Sequence, residues 1–337
     1  MKTPCFTRSG WLQGLFQILG REEDPSIYDE LFADTPIPSR IIDEPRTLIL
    51  SRDMIGLYHQ ASCLRGERSI GLRAGAASRF STVGRFGAYV CQAPTLVEAF
   101  HRIRDCIGNY SSCGSIRVQT KGDELIVENR NVYQQLTGFR QTGDVALSMM
   151  WGLAQEYLGL DVAPTRIESC YNRGSWIEDH ETHFGAPAVP GQARLAIVLP
   201  RDVASTPRRQ SLAAGSVLTQ ADVLLEVAPP PSDFVDAVSR VIDLHLSKQD
   251  ACIESAAKTL SVSPRTLQRR LRERSTTFRG LLLSRRSKRA QALLRETTLP
   301  IHKISAELGY ADPPQFVRAL KGTTGLTPAA FRRAFRS

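Results

Sequence analysis

Arg265, Gln268, Arg269 and Arg272 follow one another at intervals of three, one and three residues. On a helix that spacing sets all four on one face. Their shared chemistry is recognition of planar hydrogen-bonding edges. A guanidinium donates two parallel hydrogen bonds to guanine O6 and N7, and a carboxamide matches adenine N6 and N7. The same guanidinium also grips phosphate oxygens, which fixes register without reading sequence. Arg265, Gln268 and Arg269 are the candidates for base contact, and Arg272 is a candidate for phosphate. Further along, Pro314, Gln315, Arg318 and Lys321 form a second set. It is poorer in donors, so more phosphate and methyl contacts are expected from it. Pro314, Gln315 and Arg318 are its base-reading candidates and Lys321 its phosphate candidate; Arg279 is another phosphate candidate.

The surrounding residues supply the elements that hold these side chains. Ile253, Ala256, Ala257 and Leu260 make a short apolar helix, with alanines that permit close helix approach. Ser261-Val262-Ser263 is a turn in which Ser263 is a good N-cap, and Pro264 suits the first helical position. Leu267 and Leu271 then anchor the second helix and leave the four polar residues outward. The device repeats at 301–321, where Gly309 supplies a left-handed helix end, Asp312 caps, and Phe316, Ala319 and Leu320 point inward. Helix-turn-helix units at 253–272 and 301–321 place their second helices in the major groove of DNA. Phe278, Leu282, Arg286, Ala290 and Leu294 recur every four residues, so 278–295 reads as one connecting helix of ~27 Å. Two recognition helices on such a connector can enter successive grooves ~34 Å apart. Arg279, Arg285, Lys288 and Arg289 line its surface. Phe234, Val235, Val238, Val241, Ile242 and Leu246 form a preceding helix beneath the first unit, and Thr327-Pro328 opens a last helix.

Charge follows the same division. From Ser232 to the end, twenty Lys and Arg face nine Asp and Glu, a net +11, while the rest of the 337 residues carry −2 of the total +9. A basic module attached to a near-neutral one fits a nucleic-acid binder joined to something else. Hydrophobic residues at 42% and charged residues at 23% describe an ordinary soluble globular protein. No apolar run approaches the ~20 residues of a membrane span, and no secretory signal is evident. The seven cysteines lack CxxC spacing, so disulfides and zinc are not expected; most should be small core residues in a reducing cytoplasm.

Residues 1–200 read as mixed α and β. Helices are expected at 53–63, 82–92 and 144–158, a hairpin at 115–129 around Lys121-Gly122-Asp123, and strands at 166–169 and 195–199. Thr95-Leu96-Val97-Glu98 is a capping box opening a helix through Phe100 and Ile103. His180 and His183, beside Glu178, Asp179 and Glu181, invite a metal; two histidines do not make a site, and a solvated polar loop is the reading. No activated nucleophile, phosphate-cradling glycine loop or HExxH motif occurs, so neither an enzyme nor a cofactor is expected. Thr206-Pro207-Arg208-Arg209, Ala213-Ala214-Gly215-Ser216 and Pro229-Pro230-Pro231 mark 201–231 as a linker.

The carboxy-terminal residues resemble the DNA-binding domain of AraC/XylS-type transcriptional regulators. The matching positions are Pro300, Ile301, Ile304, Gly309, Tyr310, Phe316, Arg318, Gly325, Thr327, Pro328, Phe331 and Arg332. Ser305 and Leu320 depart from the pattern, where a small apolar residue and a phenylalanine are usual, and predict slightly looser packing. Ile70-Gly71-Leu72-Arg73-Ala74-Gly75, Pro94–Ala99 and Phe184-Gly185-Ala186-Pro187 resemble the arabinose-binding-type regulatory domain of one branch of the family. The resemblance implies effector sensing or dimerisation and contact with RNA polymerase, without identifying any effector-binding residue.

The fold expected is α+β: a mixed regulatory domain (1–200), a linker (201–231), and an all-α DNA-binding domain (232–337) with two helix-turn-helix units joined by a connecting helix. The function expected is a cytoplasmic, sequence-specific transcription regulator, an activator. Its partners are double-stranded DNA, a small-molecule effector and a second copy as homodimer, with no membrane. The competing reading is an architectural protein that binds and bends DNA with low specificity.

Overall fold

A computed structural model describes residues 4–20, 26–33, 35–159, 162–207, 217–227, 229–246 and 250–335. The chain divides into two compact units, Cys5–Pro230 and Pro231 onward.

The first unit carries strands β1 (Phe6–Arg8), β2 (Leu48–Leu50), β3 (Gly114–Lys121), β4 (Glu124–Asn131), β5 (Arg166–Glu168), β6 (Ala188–Val189) and β7 (Leu195–Pro200). Its helices are α1 (Gln13–Leu19), α2 (Ser26–Ala33), α3 (Ser51–Arg65), α4 (Ile70–Ala77), α5 (Gly84–Cys91), α6 (Leu96–Cys106), α7 (Phe139–Leu158), α8 (Trp176–Phe184), α9 (Arg201–Ser205) and α10 (Gln220–Glu226). Strands β1 and β2 pair by themselves; the main sheet has the order β3-β4-β7-β5-β6, antiparallel except between β5 and β6. The predicted hairpin forms, with Lys121 opposite Glu124 across the Gly122-Asp123 turn. Central strand β7, Leu-Ala-Ile-Val-Leu-Pro, is buried along all but its last residue, as a strand covered on both faces must be.

Helix α7 is the spine, packing against α4, α3, α6 and the sheet. Its contact with α4 requires glycine. A Cβ on Gly71 would lie 2.2 Å from the Gln141 carbonyl oxygen, and one on Gly75 would lie 2.6 Å from the Ser148 Cβ. Geometry thus requires the two glycines of the 70–75 segment: two helix backbones touch there. Gln141 Oε1 completes the join by accepting from the Gly71 N–H at 2.9 Å.

Four sequence expectations change. His180 and His183 lie on helix α8, not in a solvated loop. Trp176, His180 and Phe184 form its buried face, and His180 Nε2 meets the fully buried Asp144 carboxylate at 2.9 Å. No group of metal-binding side chains occurs among the described residues. Thr95 caps α6 by accepting from the Glu98 N–H at 3.2 Å, but Glu98 turns toward Arg102 instead of completing the box. Only Cys91, Cys106 and Cys113 of the seven cysteines are buried. The 201–231 stretch is not all tether: α9 packs on α6, α7 and β7, and α10 on α5 and α6. Ala213-Ala214-Gly215-Ser216 and Arg208-Arg209 lie outside the described residues.

The second unit is all helical: α11 (Phe234–Leu246), α12 (Ile253–Thr259), α13 (Pro264–Arg272), α14 (Phe278–Glu296), α15 (Ile301–Glu307), α16 (Pro313–Thr324) and α17 (Pro328–Phe335). Helices α12–α13 and α15–α16 are the two helix-turn-helix units, and α14 joins them. Ala290, Leu294, Ile304, Leu308, Phe316 and Phe331 build the core of the second unit's latter half. The departures at Ser305 and Leu320 leave no opening there: both are at most 2% exposed, and the Ser305 hydroxyl donates to the Asp312 carbonyl at 3.3 Å.

Candidate nucleic-acid interface

The first reading helix is built from its cap inward. Ser263 Oγ accepts from the Thr266 N–H at 3.2 Å, and Pro264 occupies the first position, where a missing N–H costs nothing. Leu267 and Leu271 are wholly buried and fix the rotation of α13. Arg265, Gln268, Arg269 and Arg272 therefore emerge together, and they line one open depression with Ser263 and Thr266. Arg265 and Arg272 have no carboxylate partner among the described residues. Arg269 does: its Nη1 donates to Glu273 Oε1 at 2.7 Å, one turn on.

Helix α16 repeats the plan. Asp312 Oδ1 accepts from the Gln315 N–H at 2.7 Å, and Phe316 and Leu320 are buried. Pro314, Gln315, Arg318 and Lys321 are all exposed. Gly309 ends α15 with φ of +69°. The equivalent position in the first unit is Ser261, with φ of +52°; each is followed by the same pair of backbone bonds to the preceding helix. Serine thus stands where the backbone favours glycine.

Several contacts that hold this platform together were not visible in the sequence. Asp243 of α11 accepts from Arg285 of α14 through both guanidinium arms, with Nε to Oδ1 at 2.6 Å. Arg285 is consequently a brace, not a steering charge. Arg286 lies over the Tyr310 ring at 4.8 Å and donates from Nη2 to the Gly309 carbonyl at 2.9 Å. Half-buried there, its pKa falls below the ordinary arginine value through loss of hydration, though Tyr310 opposes the fall. Arg270 and Arg274 both lie over Phe234, tying α13 to the start of α11. His245 and Thr259, both buried, bond at 2.8 Å and join α11 to α12. Arg332 donates to the Leu299 carbonyl at 2.5 Å, so this motif position anchors α17. Arg279 and Lys288 are exposed on α14, and Arg289 pairs with Glu307 at 3.4 Å.

Comparison with known proteins identifies both halves of the chain. Residues 28–208 match the family described as the arabinose-binding domain of AraC transcription regulator, N-terminal, and residues 256–334 match a helix-turn-helix domain family. The chain is similar to the ornithine utilization regulator of Pseudomonas aeruginosa, 24% identical over 310 residues and spanning 90% of each chain. It is also similar to the HTH-type transcriptional regulator VqsM of the same species, 36% identical over 81 residues that cover 24% of this chain and 25% of that one. Among solved structures, the transcriptional regulator CdpR of Pseudomonas aeruginosa aligns over 91% of this chain and 96% of its own, at 20% identity and a TM-score of 0.41. With the regulatory-domain family matched across more than half the chain and the paired helix-turn-helix module behind it, the protein belongs to the AraC family of DNA-binding transcription regulators.

Proposed function

We propose that α13 and α16 enter successive major grooves of a promoter, with Arg265, Gln268 and Arg269 reading bases in one and Pro314, Gln315 and Arg318 meeting the other. Arg272, Arg279 and Lys321 hold phosphates. The observation that carries this reading is the joint emergence of four polar side chains from α13 above two wholly buried leucines. Connector α14 has 19 residues and, at ~1.5 Å per residue, a length near 28 Å, which suits adjacent grooves. The first unit, as the regulatory half, takes a small molecule or pairs subunits. Activation, contact with RNA polymerase, action as a non-enzymatic cytoplasmic factor and assembly as a homodimer belong to the same reading and are supported by family resemblance.

Footprinting of the full chain on its own upstream regions tests this. Two protected segments about one helical turn apart are expected, on one side of the duplex. A single protected half-site overturns the paired-groove reading. Competition with unrelated duplex addresses specificity: binding should survive by a factor of ~10³ or more, and equal loss to any duplex favours the architectural role.

A further inference from the structure

A cleft of about 290 Å³ opens in the first unit between the turn at Ser9–Leu12, helix α1, the start of α5 and the end of α10. Trp11, Val83, Met149 and Val227 give it an apolar wall, and Arg46 and Arg79 a cationic rim. Its size lies near the lower end of the ~300–1,000 Å³ typical of small-molecule sites.

A carboxylate already occupies one end. Glu226, the last residue of α10, has a side chain only 10% exposed. Its Oε1 accepts from Arg46 Nη2 at 2.7 Å, and its Oε2 accepts from the Arg85 N–H at 3.0 Å. That amide lies in the first turn of α5, where unpaired donors and the helix dipole favour negative charge. The approach is close: a Cβ on Gly84 would lie 3.1 Å from Glu226 Oε1. Arg8 supports the arrangement from behind, donating to the Arg46 carbonyl at 2.5 Å.

Two further groups point to a ligand beyond Glu226. Tyr110 lines the cleft, is 5% exposed, and its hydroxyl has no hydrogen-bond partner among the described residues. A buried phenol ordinarily finds one. Its ring is held by stacking on Phe86 at 4.5 Å, so the hydroxyl cannot readily turn away. Arg79 is exposed at the rim and has no acidic partner among the described residues. Together these leave a phenol donor and a guanidinium unspent beside a subsite already shaped for a carboxylate.

We propose that this cleft binds a small organic acid, whose carboxylate displaces that of Glu226 from Arg46 and the α5 amide and so releases the end of α10. Tyr110 and Arg79 serve the incoming acid, and its hydrocarbon or aromatic body rests on Trp11 and Met149. The inference rests on the regulatory reading of the first unit and gives it a mechanism. Four residues after Glu226 the chain leaves the first unit at Pro230, so freeing α10 lengthens the tether to the DNA-reading half.

Titration of the full-length protein with sodium hexanoate and sodium benzoate tests the site, with hexan-1-ol and benzamide as uncharged controls. The acids should raise the melting temperature and release or absorb heat; the controls should do neither. Because Glu226 competes with the ligand, Glu226→Gln should tighten acid binding about fivefold or more, and Arg79→Gln should weaken it by a similar factor. Amide exchange in 220–226 should quicken when acid is added. The proposal fails if neither acid acts on wild type or Glu226→Gln up to about 20 mM, a concentration far above that of a weak metabolite site. It also fails if the uncharged controls bind equally, or if Glu226→Gln weakens binding. DNA binding on the same sample separates the claims: a protein that holds its operator but takes no acid loses the cleft and keeps the regulatory role.

Discussion

Arg269 stands in the middle of the first reading face with its guanidinium already engaged by Glu273. An exposed i,i+4 pair of this kind contributes only about 0.3–0.5 kcal/mol, so DNA can take the arginine from it at little cost. Glu273→Gln should therefore tighten operator binding several-fold, both by freeing Arg269 and by removing a charge that repels phosphate; an unchanged isotherm at fixed salt would show that Glu273 restrains no DNA contact of Arg269. Arg269→Ala should cost ~1–3 kcal/mol at one base position and relax preference there, which a library of single-base operator variants reads directly. Uniform weakening across that library would make Arg269 a phosphate contact. The outward set on α13 was legible because Leu267 and Leu271 fix the helical phase in the sequence itself. The pairing of Arg285 with Asp243 was not, since a partner 42 residues away is chosen by helix packing. His183 gives a prediction in the first unit. Burial first, and the neighbouring His180 second, hold its pKa below the ordinary 6.5, against a smaller opposing pull from Asp144. The folded state thus binds fewer protons than the unfolded one, and its stability is present above pH 6.5 and lost as pH falls below. Melting temperature should drop from pH 7 to pH 5, and His183→Gln, which can keep a bond to Ser148, should flatten that slope.

At the scale of the element, each reading helix is entered through a left-handed turn, and the two turns are unequal. Ser261 holds a conformation that costs an L-residue roughly 1–2 kcal/mol, where Gly309 pays none. Ser261→Gly should stabilise the second unit by about 0.5–1 kcal/mol after the extra chain entropy of glycine, seen as a higher denaturant midpoint. The α4–α7 contact predicts the opposite response. Gly71→Ala drives a methyl to 2.2 Å from the Gln141 carbonyl oxygen, and overpacking of this kind costs about 1–3 kcal/mol. A melting temperature equal to wild type would mean that the helices slide apart without loss. Capped, leucine-anchored helices were legible from the sequence, as was the hairpin around Gly122. Helix α8 was not. Its buried stripe runs Trp176, His180, Phe184, and the middle member counts as polar until Asp144 is seen opposite it.

For the whole molecule, the chain divides at Pro230 and Pro231, and the residues before that division pack more than their composition suggests. Prolines and small residues made 201–231 look like tether throughout, yet Val223 and Ala204 are wholly buried and Glu226 is clamped by Arg46. Short helices with one anchoring residue each carry too little periodicity to stand out from such a background. The charge division has a direct test. Because 232–337 carries the net +11, the second unit alone should bind duplex DNA with a steep salt slope, falling ~10³-fold or more between 50 and 200 mM salt if six or more phosphates are met. A salt-insensitive fragment would contradict the assignment of Arg272, Arg279 and Lys321.

Pro313 and Pro314 begin α16 without amide protons, whereas α13 opens on Pro264 alone and follows it with Arg265. On the proposed reading, α13 grasps and discriminates while α16 grips loosely. A reader so lopsided has a direction: turning its target end for end on the chromosome should abolish the response, even with every base pair retained.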